Sequence, residues 1–177
     1  GVGTSVGSKK AQEGSPYDNV KVSFKGKGYN DISAPALEEE IEEDSFVPHD
    51  KLHAVLWQDG VLDPVSCKRL VDIAQDFIDG LEVEVPVEDI RMTGSLANFN
   101  WSRYSDIDIH ILVDFSKINM QTELVKAFFD EARLRWNDSH RILVHGFEVE
   151  IYVESVEEEH RSSGIYSLMD NGWIREP

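Results

Sequence analysis

Apolar residues at every second position mark two strands in the second half of the chain. Ile107, Ile109, Ile111 and Val113 alternate with Asp106, Asp108 and His110, and Phe147, Val149, Ile151 and Val153 alternate with Glu148, Glu150 and Tyr152. Successive strand side chains point to opposite faces, so each segment offers one face to a core and one polar face. The short run Ile90 to Thr93 predicts a strand ahead of them, and Arg141 to Val144 pairs with Phe147 to Val153 as a hairpin through His145-Gly146, a dipeptide suited to a tight turn. Helical spacing occurs twice. Asp63-Pro64 supplies an N-cap and a first helical position, Gly80 ends the helix, and Leu70, Ile73, Phe77, Val65, Ala74 and Ile78 form its apolar stripe. A second helix spans about Thr122 to Trp136, with Leu124, Val125, Phe128, Phe129 and Ala132 inward. The pattern predicts an α+β domain, a small mixed sheet flanked by helices.

This domain occupies residues 46–177. It is entered through Phe46 to Trp57, whose Leu52, Leu56 and Trp57 are expected to pack back on it. Residues 1–45, rich in Gly, Ser, Lys and Glu and ending in the acidic run Glu38 to Asp44, read as a flexible acidic arm. Gly26-Lys27-Gly28 within it lacks the spacing and the following Ser or Thr of a phosphate loop. No internal repeat is found.

Composition narrows the function classes. With 41 % hydrophobic residues in 177, the chain can bury a core. Its formal net charge of −17 disfavours sequence-independent binding of extended nucleic acid, which rests on Lys and Arg neutralising phosphates. No apolar run reaches membrane-spanning length and no signal-peptide pattern opens the chain, so the expected compartment is the cytoplasm. The lone Cys67 cannot form an internal disulfide and lies in a helical pattern, where it reads as a small core residue.

The chemistry concentrates between Met92 and Val113. Asp106 and Asp108 share a strand face while the isoleucines between and beyond them hold the register. Two carboxylates this close are costly without a cation, and magnesium, bound through carboxylates and substrate phosphates, relieves that cost. Gly94 allows backbone N–H groups to approach a phosphate closely, and Ser95 adds a hydroxyl. If Ser95-Leu96-Ala97 opens a short helix, its N-terminus favours an anion as well. The ten residues 96–105 suffice for a short helix and a return to a neighbouring strand.

Thr93-Gly94-Ser95 followed by Ser105-Asp106-Ile107-Asp108-Ile109 resembles the signature of the polymerase-β-like nucleotidyltransferase superfamily. The longer string from Gly94 to Asp108, reading Gly-Ser-Leu-Ala-Asn-Phe-Asn-Trp-Ser-Arg-Tyr-Ser-Asp-Ile-Asp, looks like small predicted nucleotidyltransferases of bacteria and bacteriophages. The resemblance covers roughly Phe46 to Pro177, and its specific elements are the Gly-Ser and Asp-x-Asp motifs. It implies a palm-like fold and transfer of a nucleoside monophosphate, from ATP in the first instance, to an acceptor, with release of pyrophosphate. It further implies Mg2+, or Mn2+ in its place, on Asp106, Asp108 and a third acid from a later strand. Glu150, flanked by Val149 and Ile151, is the choice for that acid, with Glu148 as the alternative. The superfamily often has Asp there, and Glu is a departure with a longer arm. The third acid would bind metal and act as base toward the acceptor hydroxyl.

Other residues have two readings each. Arg103 is a phosphate partner or a solvent-facing loop residue; Trp101 and Tyr104 stack on a base or cover the helix beneath the loop; His110 approaches the metal site or is structural. Ser162-Ser163-Gly164 before Ile165-Tyr166 suggests a helix start, either an anion seat with Ser163 and Tyr166 in contact with nucleotide or a serine-capped helix that closes the domain. Beside the transferase stand two alternatives from other classes: an inactive nucleotide-binding regulator, and an interaction module acting through the acidic arm.

Overall fold

The computed structural model of the chain describes residues 20–23 and 48–177. In chain order the elements are β1 (Val20–Ser23), β2 (Trp57–Gln58), β3 (Val61–Leu62), α1 (Pro64–Asp79), β4 (Val87–Thr93), a 3-10 turn at Ser95–Ala97, β5 (Ile107–Val113) and a second 3-10 turn at Phe115–Lys117. There follow α2 (Thr122–Ser139), β6 (Arg141–Val144), β7 (Phe147–Ser155), β8 (Ile165–Ser167) and β9 (Gly172–Arg175). Seven strands form one mixed sheet in the order β1-β6-β7-β5-β4-β8-β9, and β2 and β3 pair separately. Among the described strands only β5 and β7 pair in parallel, which requires a crossover connection, and α2 lies in it. The architecture is a small α+β fold.

Local chemistry explains the boundaries. Asp63 caps α1, its Oδ2 accepting from the Ser66 backbone N–H at 2.9 Å and the Ser66 hydroxyl at 2.7 Å, with Pro64 in the first turn. Gly80 closes the helix, donating its N–H to Asp76 O. His145 and Gly146 both take positive φ, 51° and 86°, the pair of angles a two-residue type I′ hairpin turn needs, and Val144 faces Phe147 across it.

One face of the sheet is the core. Ile107, Ile109, Ile111 and Val113 of β5, Val149 and Ile151 of β7 and Ile90 and Met92 of β4 are buried with Leu70, Ile73, Ala74 and Phe77 of α1 and with Cys67. Leu56 and Trp57 are buried as well, with Leu52 packed against the cluster. Two inward assignments need correction. Val65 of α1 is exposed because it stands on the first turn, beyond the stripe that meets the sheet. Leu124 and Phe128 of α2 are also exposed, and only Val125 and Phe129 of that helix are buried. The reason is where α2 sits: β6 pairs with β7 only near the hairpin turn, and α2 covers the rest of that edge. The Asn137 amide takes the place of a strand, donating to Ile151 O and accepting from Ile151 N, both at 2.9 Å. Asn137→Ala is therefore expected to destabilise the fold by about 1–2 kcal/mol, since both backbone groups lose their partner at a half-buried site. Urea unfolding monitored by circular dichroism reads this directly, and an unchanged midpoint would mean water replaces the amide without loss.

Within the segment read as an arm, Val20–Ser23 adds β1 to the outer edge of β6, Val20 opposite Val144 and Ser23 opposite Arg141. The arm is thus tied to the sheet at these four residues. A sheet edge offers unpaired N–H and C=O groups, and an alternating Val-Lys-Val-Ser segment suits it. The rest of the arm, including Gly26-Lys27-Gly28 and the acidic run, lies outside the described residues, as do Phe46 and Val47.

Candidate active site

The Gly-Ser turn is folded against the second aspartate. Gly94 has φ +78°, and a Cβ built there would collide with the Asp108 carboxylate, so only glycine fits without displacement. Register explains the proximity, since Thr93 stands directly opposite Asp108 in the β4–β5 pair. Beyond Gly94 the chain makes one 3-10 turn, closed by Ala97 N–H to Gly94 O (3.1 Å), and the Asn98 side chain donates to the same carbonyl at 2.9 Å. The expected short helix is only this three-residue turn, too short for a helix dipole. Donors toward an anion here are backbone N–H groups and the Ser95 hydroxyl. Ser95 Oγ donates to Ser105 Oγ at 2.7 Å, and Ser105 Oγ accepts from Ser102 N–H at 2.9 Å. The ten-residue linker thus returns so that the residue before Asp106 meets the residue after Gly94.

The parallel pairing of β5 and β7 places Asp108 opposite Glu150 and His110 opposite Tyr152. Asp106, Asp108 and Glu150 are half-buried on the polar face. Glu150 Oε2 accepts the Tyr152 hydroxyl at 2.7 Å, and burial, then this bond, push the Tyr152 phenol up. Glu148 lies one face repeat earlier, with Arg141 Nε 3.4 Å from its carboxylate. Burial pushes the Asp108 carboxyl up to about 6; His110 opposes the rise, and Glu150 and Asp106 add to it. Asp108 and Glu150 thus face each other across the pair, and Asp106 and Glu150 both act electrostatically on a carboxyl that already resists ionisation.

The flanking candidates separate into those near this turn and those elsewhere. Ser163 Oγ donates to Asn98 Oδ1 at 2.5 Å, and Asn98 in turn holds Gly94 O, so Ser163 backs the Gly-Ser turn. Gly164 lies so close to the Ala97 carbonyl that a Cβ would collide with it. Tyr166 is not at the site. No helix starts at Ser163: Ile165–Ser167 is strand β8, and Tyr166 stands opposite Met92 on the core face. There it is 1 % exposed, its ring edge-on to Trp57 and Trp173, and its hydroxyl donates to Asn171 Oδ1 and accepts from Leu62 N–H. The short edge left by β4 captured this segment as a strand, a long-range event that neither the Ser-Ser-Gly signal nor the capping alternative contains. Arg103 is exposed, with its guanidinium over the Tyr104 ring at 4.8 Å and donating to the Tyr104 hydroxyl. Trp101 stacks on His49 with ring centroids 3.5 Å apart and donates its indole N–H to Lys51 O, so it fastens the entry segment.

Three participants, Glu154, His160 and Arg133, escaped the sequence reading. His110, weighed there, stacks on Tyr152 with centroids 4.8 Å apart, and its Nδ1 lies 2.6 Å from Glu154 Oε1. His160, from the segment before β8, approaches the same carboxylate oxygen at 3.7 Å. Arg133 of α2 lies over the outer face of Tyr152 at 4.9 Å. Glu154 continues the alternation of β7 and was readable as a polar-face residue. His160 and Arg133 carry no local signal, since only the path of the chain brings them here.

No family model matches the chain, and no curated protein or solved structure matches it. Among the described residues no helix is long and apolar enough to cross a membrane.

Proposed function

We propose that the chain is a metal-dependent nucleotidyltransferase that moves a nucleoside monophosphate from a nucleoside triphosphate to a hydroxyl-bearing acceptor. The observation that carries this reading is the pairing of Asp108 with Glu150 on two adjacent parallel strands, with Asp106 just before β5, beside a Gly-Ser turn whose glycine stands against the Asp108 carboxylate. The donor set fits a hard cation, being all oxygen, anionic and half-buried. Mg2+ or Mn2+ held by these three acids would neutralise the triphosphate and the charge that develops during transfer.

The remaining steps belong to the chain. Backbone N–H groups of the turn would meet the phosphates, and Ser95, steadied by Ser105, offers its hydroxyl to a phosphate oxygen. Glu150 is the base: it takes the acceptor proton as the acceptor oxygen bonds to the α-phosphorus and the bond to the bridging oxygen breaks, releasing pyrophosphate. Arg103, on the linker before the acids, supplies a guanidinium for the triphosphate. With a net charge of −17, a small molecule or a protein side chain suits the acceptor role better than a long nucleic acid.

The test supplies each α-labelled triphosphate with Mg2+ and a panel of small-molecule, protein and RNA acceptors, and follows label transfer and pyrophosphate. ATP-dependent label transfer that Asp106→Ala abolishes is the expected result. Magnesium-dependent nucleotide binding without pyrophosphate from any triphosphate would replace the transferase by a nucleotide-binding regulator. Absence of nucleotide binding would remove both.

A further inference from the structure

We infer that His110, Glu154 and His160 form a binding site for a transition-metal ion of the zinc class, distinct from the three-acid site. Their ligand atoms all lie within 4.8 Å of one another. His110 comes from β5 and Glu154 from β7, where the parallel register sets Glu154 opposite Leu112, one face repeat beyond His110, and the His110 Nδ1 to Glu154 Oε1 distance is 2.6 Å. His160 arrives from the segment between β7 and β8, its ring 4.8 Å from that of His110 and its Nε2 3.7 Å from the same Glu154 oxygen. Ligand atoms around a tetrahedral zinc ion, bound at about 2.0–2.1 Å, are about 3.3 Å apart, a value these two separations bracket.

The second observation is that the two ring nitrogens aimed at this point, His110 Nδ1 and His160 Nε2, are buried and have no hydrogen-bond partner among the described residues. The near neighbour of His110 Nδ1 is the Glu154 carboxylate, itself one of the three ligands. Buried polar atoms are almost always paired, and one ion satisfies both imidazoles and the carboxylate together. Two imidazoles and one carboxylate suit zinc and its first-row neighbours, not magnesium. The nearby cations have partners of their own. Arg91 Nε is 2.9 Å from Asp89 Oδ2, and Arg175 donates to Ser162 O at 3.0 Å.

The ion would clasp the segment before β8 onto the sheet. That same segment carries Ser163 and Gly164, which rest on Asn98 and Ala97 behind the Gly-Ser turn. Its role would be to hold this turn in place.

The test uses the whole chain, stripped with chelator and titrated with Zn2+ in excess Mg2+. One equivalent is expected by calorimetry and elemental analysis. Glu154→Gln and His160→Gln each weaken the site by more than about 100-fold, because they remove a ligand and not merely its support. Asp108→Asn retains the single equivalent, which separates this site from the acid cluster. Co2+ bound to the unmodified chain gives the visible absorption of a low-coordinate nitrogen-containing site, a readout that needs no variant. Absence of saturable zinc binding, binding unchanged in both variants, or an octahedral all-oxygen Co2+ spectrum would overturn the assignment. These outcomes are read from metal binding alone, so they can be told apart from failure of the nucleotide reading.

Discussion

Asp108→Asn is expected to eliminate transfer activity, by about 10³-fold or more, and at the same time to stabilise the metal-free chain at neutral pH. Both effects have one cause. Asp108 is half-buried beside Glu150 and Asp106, and its carboxyl is pushed up to about 6. A carboxyl raised in the folded state favours folding least when it is ionised. Its penalty is absent below about pH 4, grows between pH 4 and 6, and is complete above 6. Carrying the carboxyl from its ordinary range up to about 6 corresponds to about 3 kcal/mol at most, and partial solvent access reduces this to about 1–2 kcal/mol. Asparagine removes the penalty but cannot serve as an anionic ligand. The Tm of Asp108→Asn should equal that of the wild type near pH 4 and exceed it by several degrees at pH 7, given about 2–4 °C per kcal/mol for a domain of this size. Mg2+ should raise the wild-type Tm and leave the variant unmoved. Parallel Tm profiles across this pH range would sink the electrostatic account, whatever the activity.

The second large effect is expected at Gly94. Gly94→Ala meets two obstacles, a positive φ of 78° and a methyl group driven into the Asp108 carboxylate. The strain and the displacement together should cost about 1–3 kcal/mol of stability, and magnesium-dependent nucleotide affinity should fall by more than tenfold. Gly146→Ala is the matched control. Its φ is 86° but nothing lies within 4 Å of the added carbon, so it carries the strain without the collision. It should lose about 1 kcal/mol and keep full nucleotide affinity. Calorimetric titration with ATP and Mg2+ distinguishes the pair; equal affinities in both variants would mean that the turn takes no part in binding phosphate.

The candidate site was legible to the extent that its parts are local in sequence. Alternation in β5 and β7 placed Asp106, Asp108, Glu148 and Glu150 on polar faces, because a strand side chain's face depends only on its position modulo two. The two-residue turn at His145-Gly146 and the cap at Asp63 were readable for the same reason, each being a few residues of backbone chemistry. Glu150 was preferred to Glu148 for its apolar neighbours, but that it stands opposite Asp108 is a matter of the β5–β7 register, which no local pattern states. Leu124 and Phe128 look inward on a helical wheel, yet a helix at a sheet edge buries a narrower stripe than one lying flat on a sheet.

From its sequence alone this chain is an α+β protein with its alternating strands, its capped first helix, its hairpin and a Gly-Ser turn followed by paired acids, all dictated by short-range periodicity and backbone preference. The tertiary structure decided what is near what. It put Glu150 and not Glu148 beside Asp108, turned Tyr166 into the core as part of β8, drew Val20–Ser23 onto β6, and brought His160 across to His110 and Glu154. These are pairings between strands and segments far apart in the chain, chosen by which sheet edges and core faces remained to be covered, and no local pattern encodes that choice.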